Sequence, residues 1–478
     1  MKRLSGLDAS FLYLETPSSH MHVAGLMILD PTDVEGGVTL ERVKEVYGQR
    51  LHLAPPFRRR LAQVPFGLHH PLWIEDSDFD IDFHIRATAL PSPGTDDQLA
   101  TTVGRLVAQP LDRSRPLWEV WVIEGLESEN IACLTKVHHA AIDGASGNEL
   151  TVALLDLTPE VAPHVPAEEW EPDRVPSDVE LLGFAATSLV RQPFRLAKAA
   201  ARLPGAALDL RRRDGEAPRL APPPAPFAAP KTPFNTAITA RRSYSFASLS
   251  LPRAKAVKKA TGTTVNDVIL AMCAGALRRY LDDRDELPDK PLVAMVPVSV
   301  RSDDQRDAMG NQVSSMLASL ATDIDDPLDR LEAIHASMAG VKQQLKAIGA
   351  DTLGDWAEFA APAVAGRAAR LYSRTKIADR HRPLFNVTIS NIPGPPFPLY
   401  SIGARMVANF PIGPISDGGG LNITVMSYQD SLDFGLLACP DVLPDVDAMA
   451  HGLDHALDEL VAAADVDDDQ IAALSRTA

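Results

Sequence analysis

Between Ala217 and Asn235 the chain reads APRLAPPPAPFAAPKTPFN, and no other stretch limits its fold so strongly. Proline lacks an amide donor and fixes φ, so a run this dense cannot be a helix interior or a central strand. It reads as an extended linker, or a crossover between two bodies. The length of 478 residues also exceeds what one hydrophobic core usually serves, which calls separately for two lobes. The sequence therefore divides into an N-terminal lobe over 1–165, a helical and proline-rich crossover over 166–235, and a C-terminal lobe over 236–478.

Both lobes mix strand and helix signals. HMHVAGLMILD, PLWEVWVIEGL and IACLTKVHH read as strands, as does DFDIDFHIRA, where Phe79, Ile81, Phe83 and Ile85 alternate with polar residues. LERVKEVYGQRL and the run from Asp97 to Ala108 have helical spacing. In the second half TGTTVNDVILAMCAGALRRYL predicts a helix, with Thr264 and Asp267 as a capping box. PLVAMVPVSVR, LFNVTISNIPGP, GLNITVMSYQD and SLDFGLLACP predict further strands. The expected class is α/β with mixed sheets.

The formal charge of −17 argues against a general nucleic-acid binder, because a polyanion would be repelled. The three cysteines, Cys133, Cys273 and Cys439, each lie in an apolar run and read as buried reduced thiols of a cytosolic protein. Asp8 and Glu15 interrupt any apolar signal segment near the N-terminus, so no secretory leader is expected. One stretch runs against the acidic balance. From Asp178 to Arg213 a helical pattern places Arg191, Arg195, Lys198 and Arg202 beside apolar Val190, Phe194, Ala197 and Ala201, although Pro193 and Pro204 interrupt it. Such a helix suits either an anionic membrane surface or packing on the protein body.

The chemistry concentrates in KVHHAAIDGASG, Lys136 to Gly147. On a strand, consecutive side chains point to opposite faces, so His138 and His139 cannot share one task. Asp143 and Gly144 follow a turn and start the segment ASGNELTVALLDL, read as a helix. Three readings compete: a zinc site, two satisfied core histidines with a capping aspartate, and general-base catalysis. Diverging neighbours suit a metal poorly, and no third histidine stands at helical spacing. An imidazole that takes a proton from an attacking hydroxyl or amine suits the pattern best. His69 and His70 are also paired but lack the Asp-Gly, and His451 and His455 read as a solvated helix face.

HHxxxDG, together with LSGLDASFLYLETPSSHMHVAGL, PLDRSRPLWEVWVIEGL, TVNDVILAM, VPVSVR and NVTISNIPGP, resembles the bacterial wax ester synthase/diacylglycerol acyltransferases, within the superfamily built like chloramphenicol acetyltransferase. The resemblance runs from about Leu4 to Pro440. It implies two chloramphenicol-acetyltransferase-like lobes with an active-site tunnel at their interface. It also implies transfer of a long-chain acyl group from acyl-CoA to diacylglycerol or a long-chain alcohol. Acyl-CoA would be a substrate, with no cofactor and no metal. His139 would be the base, with His138, Asp143 and Gly144 shaping the motif. Asn266 of TVND would orient the base or the thioester, and Arg301 of VPVSVR is nominated as the partner of Asp143. Arg58 to Arg60 are a candidate for the CoA phosphates. Because such long-chain substrates dissolve in lipid, the expected location is cytoplasmic, in peripheral association with the inner membrane face or lipid droplets. A carrier-dependent condensation enzyme and a noncatalytic lipid-surface protein are the alternatives.

Overall fold

A computed structural model describes residues 2–142, 154–161, 172–184, 224–225, 227–299, 313–348 and 362–475. The Asp143 turn, the basic stretch at 191–202 and Arg301 therefore lie outside the described residues, as does most of the segment expected to be helical after Gly144.

Two six-stranded sheets carry the fold. In chain order the strands are β1 (Lys2–Arg3), β2 (His22–Asp30), β3 (Arg59–Ala62), β4 (Leu72–Glu75), β5 (Ile85–Ala89), β6 (Trp118–Glu124), β7 (Ile131–His138), β8 (Ser243–Ser250), β9 (Val293–Ser299), β10 (Val313–Ser319), β11 (Val387–Pro393), β12 (Tyr400–Ser401), β13 (Ala404–Ile412), β14 (Leu421–Tyr428) and β15 (Ser431–Ala438). One sheet has the order β12-β13-β2-β7-β6-β5, the other β10-β9-β11-β14-β15-β8, and β1-β4-β3 form a small third sheet. Both large sheets mix parallel and antiparallel pairs, with β5 parallel to β6, and β11 parallel to both β9 and β14.

The halves of the chain interlock. β13 comes from the second half yet pairs with β2 and, with β12 at its outer edge, extends the N-terminal sheet. It can cross so close to the C-terminal sheet because residue 435 is glycine. A Cβ there would lie 2.0 Å from the carbonyl oxygen of Pro411. One core cluster accordingly draws from both halves, joining Leu26, Val103 and Leu134 to Tyr244, Phe410 and Leu437.

Each lobe also has its own core. In the C-terminal lobe the Val265–Asp282 helix is buried on every side from Asp267 to Leu277, where Val268 onward carries no charged residue. Its start is the predicted capping box, with reciprocal Thr264 and Asp267 bonds. The Val446–Ala463 helix lies against it at close range. A Cβ on Gly275 would stand 2.8 Å from that of Ala456.

One expected strand is corrected. Of DFDIDFHIRA, Ile81–His84 is a single helical turn and only Ile85 onward is strand. Asp80 Oδ1 accepts the Asp82 amide and caps the turn, an option that alternation does not register. All three cysteines are buried. No single described helix is long and apolar enough to cross a membrane.

Candidate active site

β7 delivers the paired histidines to the edge of the lobe junction. His138 is its last residue, in register with His22 of β2, and His139 lies just beyond. Their rings take different surroundings. His138 is 1 % exposed, whereas His139 is only partly enclosed.

The helix Gly6–Leu14 holds both rings from above. Ser5 caps it by accepting the Asp8 amide. Phe11 and Glu15 are four residues apart, one turn, so they lie over one face. Phe11 stacks on the His139 ring, centroids 3.9 Å apart and planes 11° from parallel. Glu15 Oε2 lies 3.2 Å from His138 Nε2. Arg113 clamps the carboxylate through Nε at 2.9 Å and through a second, shorter contact from Nη2, and also donates to the Leu12 carbonyl.

This geometry fixes the state of His138. Its Nδ1 accepts the Ala140 amide at 3.0 Å, so that nitrogen cannot carry a proton. Nε2 therefore bears the hydrogen and donates it to Glu15. Burial, stronger than the opposing pull of Glu15, lowers the His138 pKa and agrees with a neutral ring. Glu15 itself is held below its ordinary value. Burial is the largest single influence and raises it, but the His138 hydrogen bond and the Arg113 charge together outweigh that.

His139 is neutral for a simpler reason. Burial pushes its pKa down from 6.5 to about 4. Its own backbone carbonyl opposes this weakly, and no described carboxylate does. Nδ1 is buried without a hydrogen-bond partner of normal geometry. The backbone is pinned instead, its amide donating to the Met21 carbonyl at 3.0 Å. An uncharged imidazole on a fixed backbone, with one face against an aromatic ring, can accept a proton and give it back.

The loop that supplies Met21 is fastened to the other lobe. Arg242 donates to the Ser18 carbonyl, Ser19 Oγ to the Ile415 carbonyl at 2.8 Å, and Ser18 Oγ meets Ser373 Oγ at 2.9 Å. The position of His139 thus depends on contacts between the halves.

The other expected residues fall as follows. Asn266 is partly exposed at the start of the Val265–Asp282 helix, its Oδ1 accepting from Asn391 Nδ2 at 3.3 Å. Among the described residues no hydrogen bond joins it to either histidine. Asp267 is buried and accepts from Thr264, with His335 Nδ1 at 2.7 Å from its Oδ2, which is structural work. Asp143, Gly144 and Arg301 are outside the described residues. Arg59 and Arg60 face Glu75 and Asp76 at 3.4 and 3.0 Å, and Arg58 faces Glu75 at 3.9 Å. Glu75 and Asp76 offset two of the three positive charges there, which weakens the cluster as a phosphate site. Among the described residues no group of three potential ligands could hold a metal.

Phe11, Glu15 and Arg113 were not singled out from the sequence. Their one local signal is the Phe11–Glu15 spacing, and its meaning depends on which strand end lies beneath it.

Two mixed-sheet lobes, with a neutral histidine just beyond the end of β7, match the class of acyltransferase that the sequence resembles. The chain matches the wax ester synthase/diacylglycerol acyltransferase catalytic domain over residues 4–269 and the C-terminal domain of the same group over 309–461. It belongs to the wax ester synthase/diacylglycerol acyltransferase family. A putative diacylglycerol O-acyltransferase of Mycobacterium tuberculosis is 41% identical over 470 residues, covering 97% of this chain and 91% of the relative. The wax ester synthase/diacylglycerol acyltransferase of Marinobacter aquaeolei VT8 superposes with a TM-score of 0.67 at 32% identity, covering 97% of this chain and all of that one. The first condensation domain of the calcium-dependent antibiotic synthetase shares the fold, with a TM-score of 0.53 at 16% identity over 97% of this chain and 96% of that one.

Proposed function

We propose that this protein transfers a long-chain acyl group from acyl-CoA to diacylglycerol or a long-chain alcohol, with His139 as general base. The observation that carries the reading is the neutral His139 ring, stacked on Phe11 and free of any described carboxylate. His139 takes the hydroxyl proton as the alcohol oxygen attacks the thioester carbonyl. A C–O bond forms and the C–S bond breaks. The imidazolium then gives the proton to the departing thiolate. An imidazolium of pKa about 4 is far more acidic than an ordinary thiol near 8.5, so that return is strongly downhill. The same low pKa makes His139 a weak base, and proton removal must accompany attack rather than precede it.

Direct transfer needs both substrates bound together and no acyl-enzyme. The cysteines support this route. Burial pushes the thiols of Cys133 and Cys273 up to about 12, which keeps them protonated and unreactive at neutral pH. Asn266, joined to Asn391, is assigned a positioning role toward the thioester or the base. Asp143 keeps the motif-shaping role that the family resemblance implies, with Gly144 allowing a tight backbone path beside it and Arg301 nominated as its ion-pair partner. The acceptor is lipid-soluble, so the enzyme works in peripheral contact with the inner membrane face or a lipid droplet from the cytoplasmic side.

The test is purified protein with palmitoyl-CoA and either diolein or hexadecanol, followed by CoA release and by chromatography of the product. Release of CoA coupled to a triacylglycerol or wax ester supports the reading. Release without ester, or none with either alcohol, overturns it.

A further inference from the structure

The helix Pro362–Arg374 packs on the Gly6–Leu14 helix and on the turn Pro65–Gly67, but its outer side is unusual for this acidic protein. Val364, Ala368 and Leu371 stand at helical spacing on that side, and all three are exposed. Val364 is 66% exposed and Leu371 59%. Phe66, at the tip of the adjoining turn, is 84% exposed, and Leu14, at the end of the neighbouring helix, is 50%. Large apolar side chains gathered this way mark a contact surface rather than ordinary scatter.

Arginines accompany the apolar stripe. Arg367, Arg370 and Arg374 are exposed, and among the described residues none has an ion-pair or hydrogen-bond partner. From Val364 to Leu384 the chain carries six lysines and arginines against one carboxylate, in a protein of net charge −17. That carboxylate, Asp379, is occupied with the Ala237 amide.

We propose that this face, formed by the Pro362–Arg374 helix with Phe66 and Leu14, docks the protein on an anionic phospholipid surface. Charge and chemistry select that occupant together. The exposed arginines attract phosphate head groups, and the apolar side chains between them enter the acyl boundary. A nucleic acid would match the charge but leave the apolar stripe in water. The inference rests on the lipid-soluble acceptor proposed above. It also gives docking a short path to the site, since the Gly6–Leu14 helix beneath the face carries Phe11 against His139.

The experiment is flotation of the whole protein with vesicles of phosphatidylcholine alone, or of phosphatidylcholine and phosphatidylglycerol in equal parts. It is run without acyl-CoA, so docking and catalysis can fail separately. Wild-type protein is expected to float with the anionic vesicles and to be released by salt. Arg367→Glu with Arg370→Glu and Arg374→Glu should lower the partition by about a hundredfold. Phe66→Ser with Leu371→Ser should lower it by at least about tenfold while leaving salt sensitivity in place. Both variants should keep the wild-type melting temperature and the wild-type rate of CoA release with a short, water-soluble alcohol. The proposal is overturned if wild-type protein stays in the pellet, if it floats equally on neutral vesicles, or if the charge reversals leave flotation unchanged. Should the triple variant fail to fold, Arg370→Gln alone and the salt titration of wild type decide in the same way.

Discussion

Replacing Phe11 by alanine should change the acidity of His139 without touching the ring itself. The phenyl group covers one imidazole face at 3.9 Å, and burial is the main cause of the low pKa. The fall from 6.5 to about 4 corresponds to about 3 kcal/mol in favour of the neutral ring. Removing the stacked ring admits water to one face of two, and should restore roughly a third to a half of that preference. The sign follows directly. A base works only when deprotonated, so activity falls as pH drops through its pKa, and a higher pKa brings that fall nearer neutrality. In the Phe11→Ala enzyme the acid limb of kcat/KM should move up by about one pH unit, and it cannot pass the ordinary histidine value of 6.5. Phe11→Leu should give a smaller displacement. The assay is CoA release in a buffer series from below the wild-type value of about 4 up to neutral, with prior incubation to show that each variant survives the pH. An acid limb that stays in place would mean that the ionisation controlling turnover is not His139, and the reasoning would fail.

Other consequences follow from the same geometry. Glu15→Ala strands the His138 Nε2 hydrogen and the Arg113 charge, and should cost about 2 kcal/mol; Glu15→Gln keeps an acceptor and should recover about half, as read by denaturant titration. Lys136 is buried with its ammonium 3.3 Å from Glu119, so Lys136→Met should destabilise by about 3 kcal/mol, while adding Glu119→Leu should restore much of the loss. Gly435→Ala must push β13 away from the C-terminal sheet, and should lower the melting temperature more than Gly262→Ala at an open helix end. Stability should also decline with acid. His22, His138 and His139 are all held below their ordinary pKa, chiefly by burial. Below about 6.5 the unfolded chain takes up protons that the folded one refuses. Their contribution is therefore whole above that pH and is lost as pH falls, for His139 down to about 4, which a melting series across that range reads out.

The sequence made visible what depends on near neighbours. The capping box at Thr264 and Asp267 is a local motif, and it forms as expected. The strands ending at His138, and those at Val387 and Leu421, follow from apolar runs bounded by turn residues. DFDIDFHIRA misled because Asp80 capped a turn, a side-chain bond that competes with the strand. The partners of the histidines were hidden for a different reason. Glu15 and His138 are 123 residues apart, and Arg113 and Glu15 98, so only the tertiary fold brings them together. The entry of β13 into the N-terminal sheet was hidden likewise. Its signal is one glycine on another strand, Gly435, which has no meaning until the crossing is seen.

The central claim is that the His139 imidazole carries the proton during ester formation, and the direct measurement is single-turnover acyl transfer from labelled palmitoyl-CoA by His139→Ala protein. The account predicts a rate lower by about a hundredfold to ten-thousandfold, with wild-type melting behaviour and no label retained on the protein. A His139→Ala enzyme that forms ester at near the wild-type rate, or wild-type protein caught carrying a covalent acyl group, would contradict it.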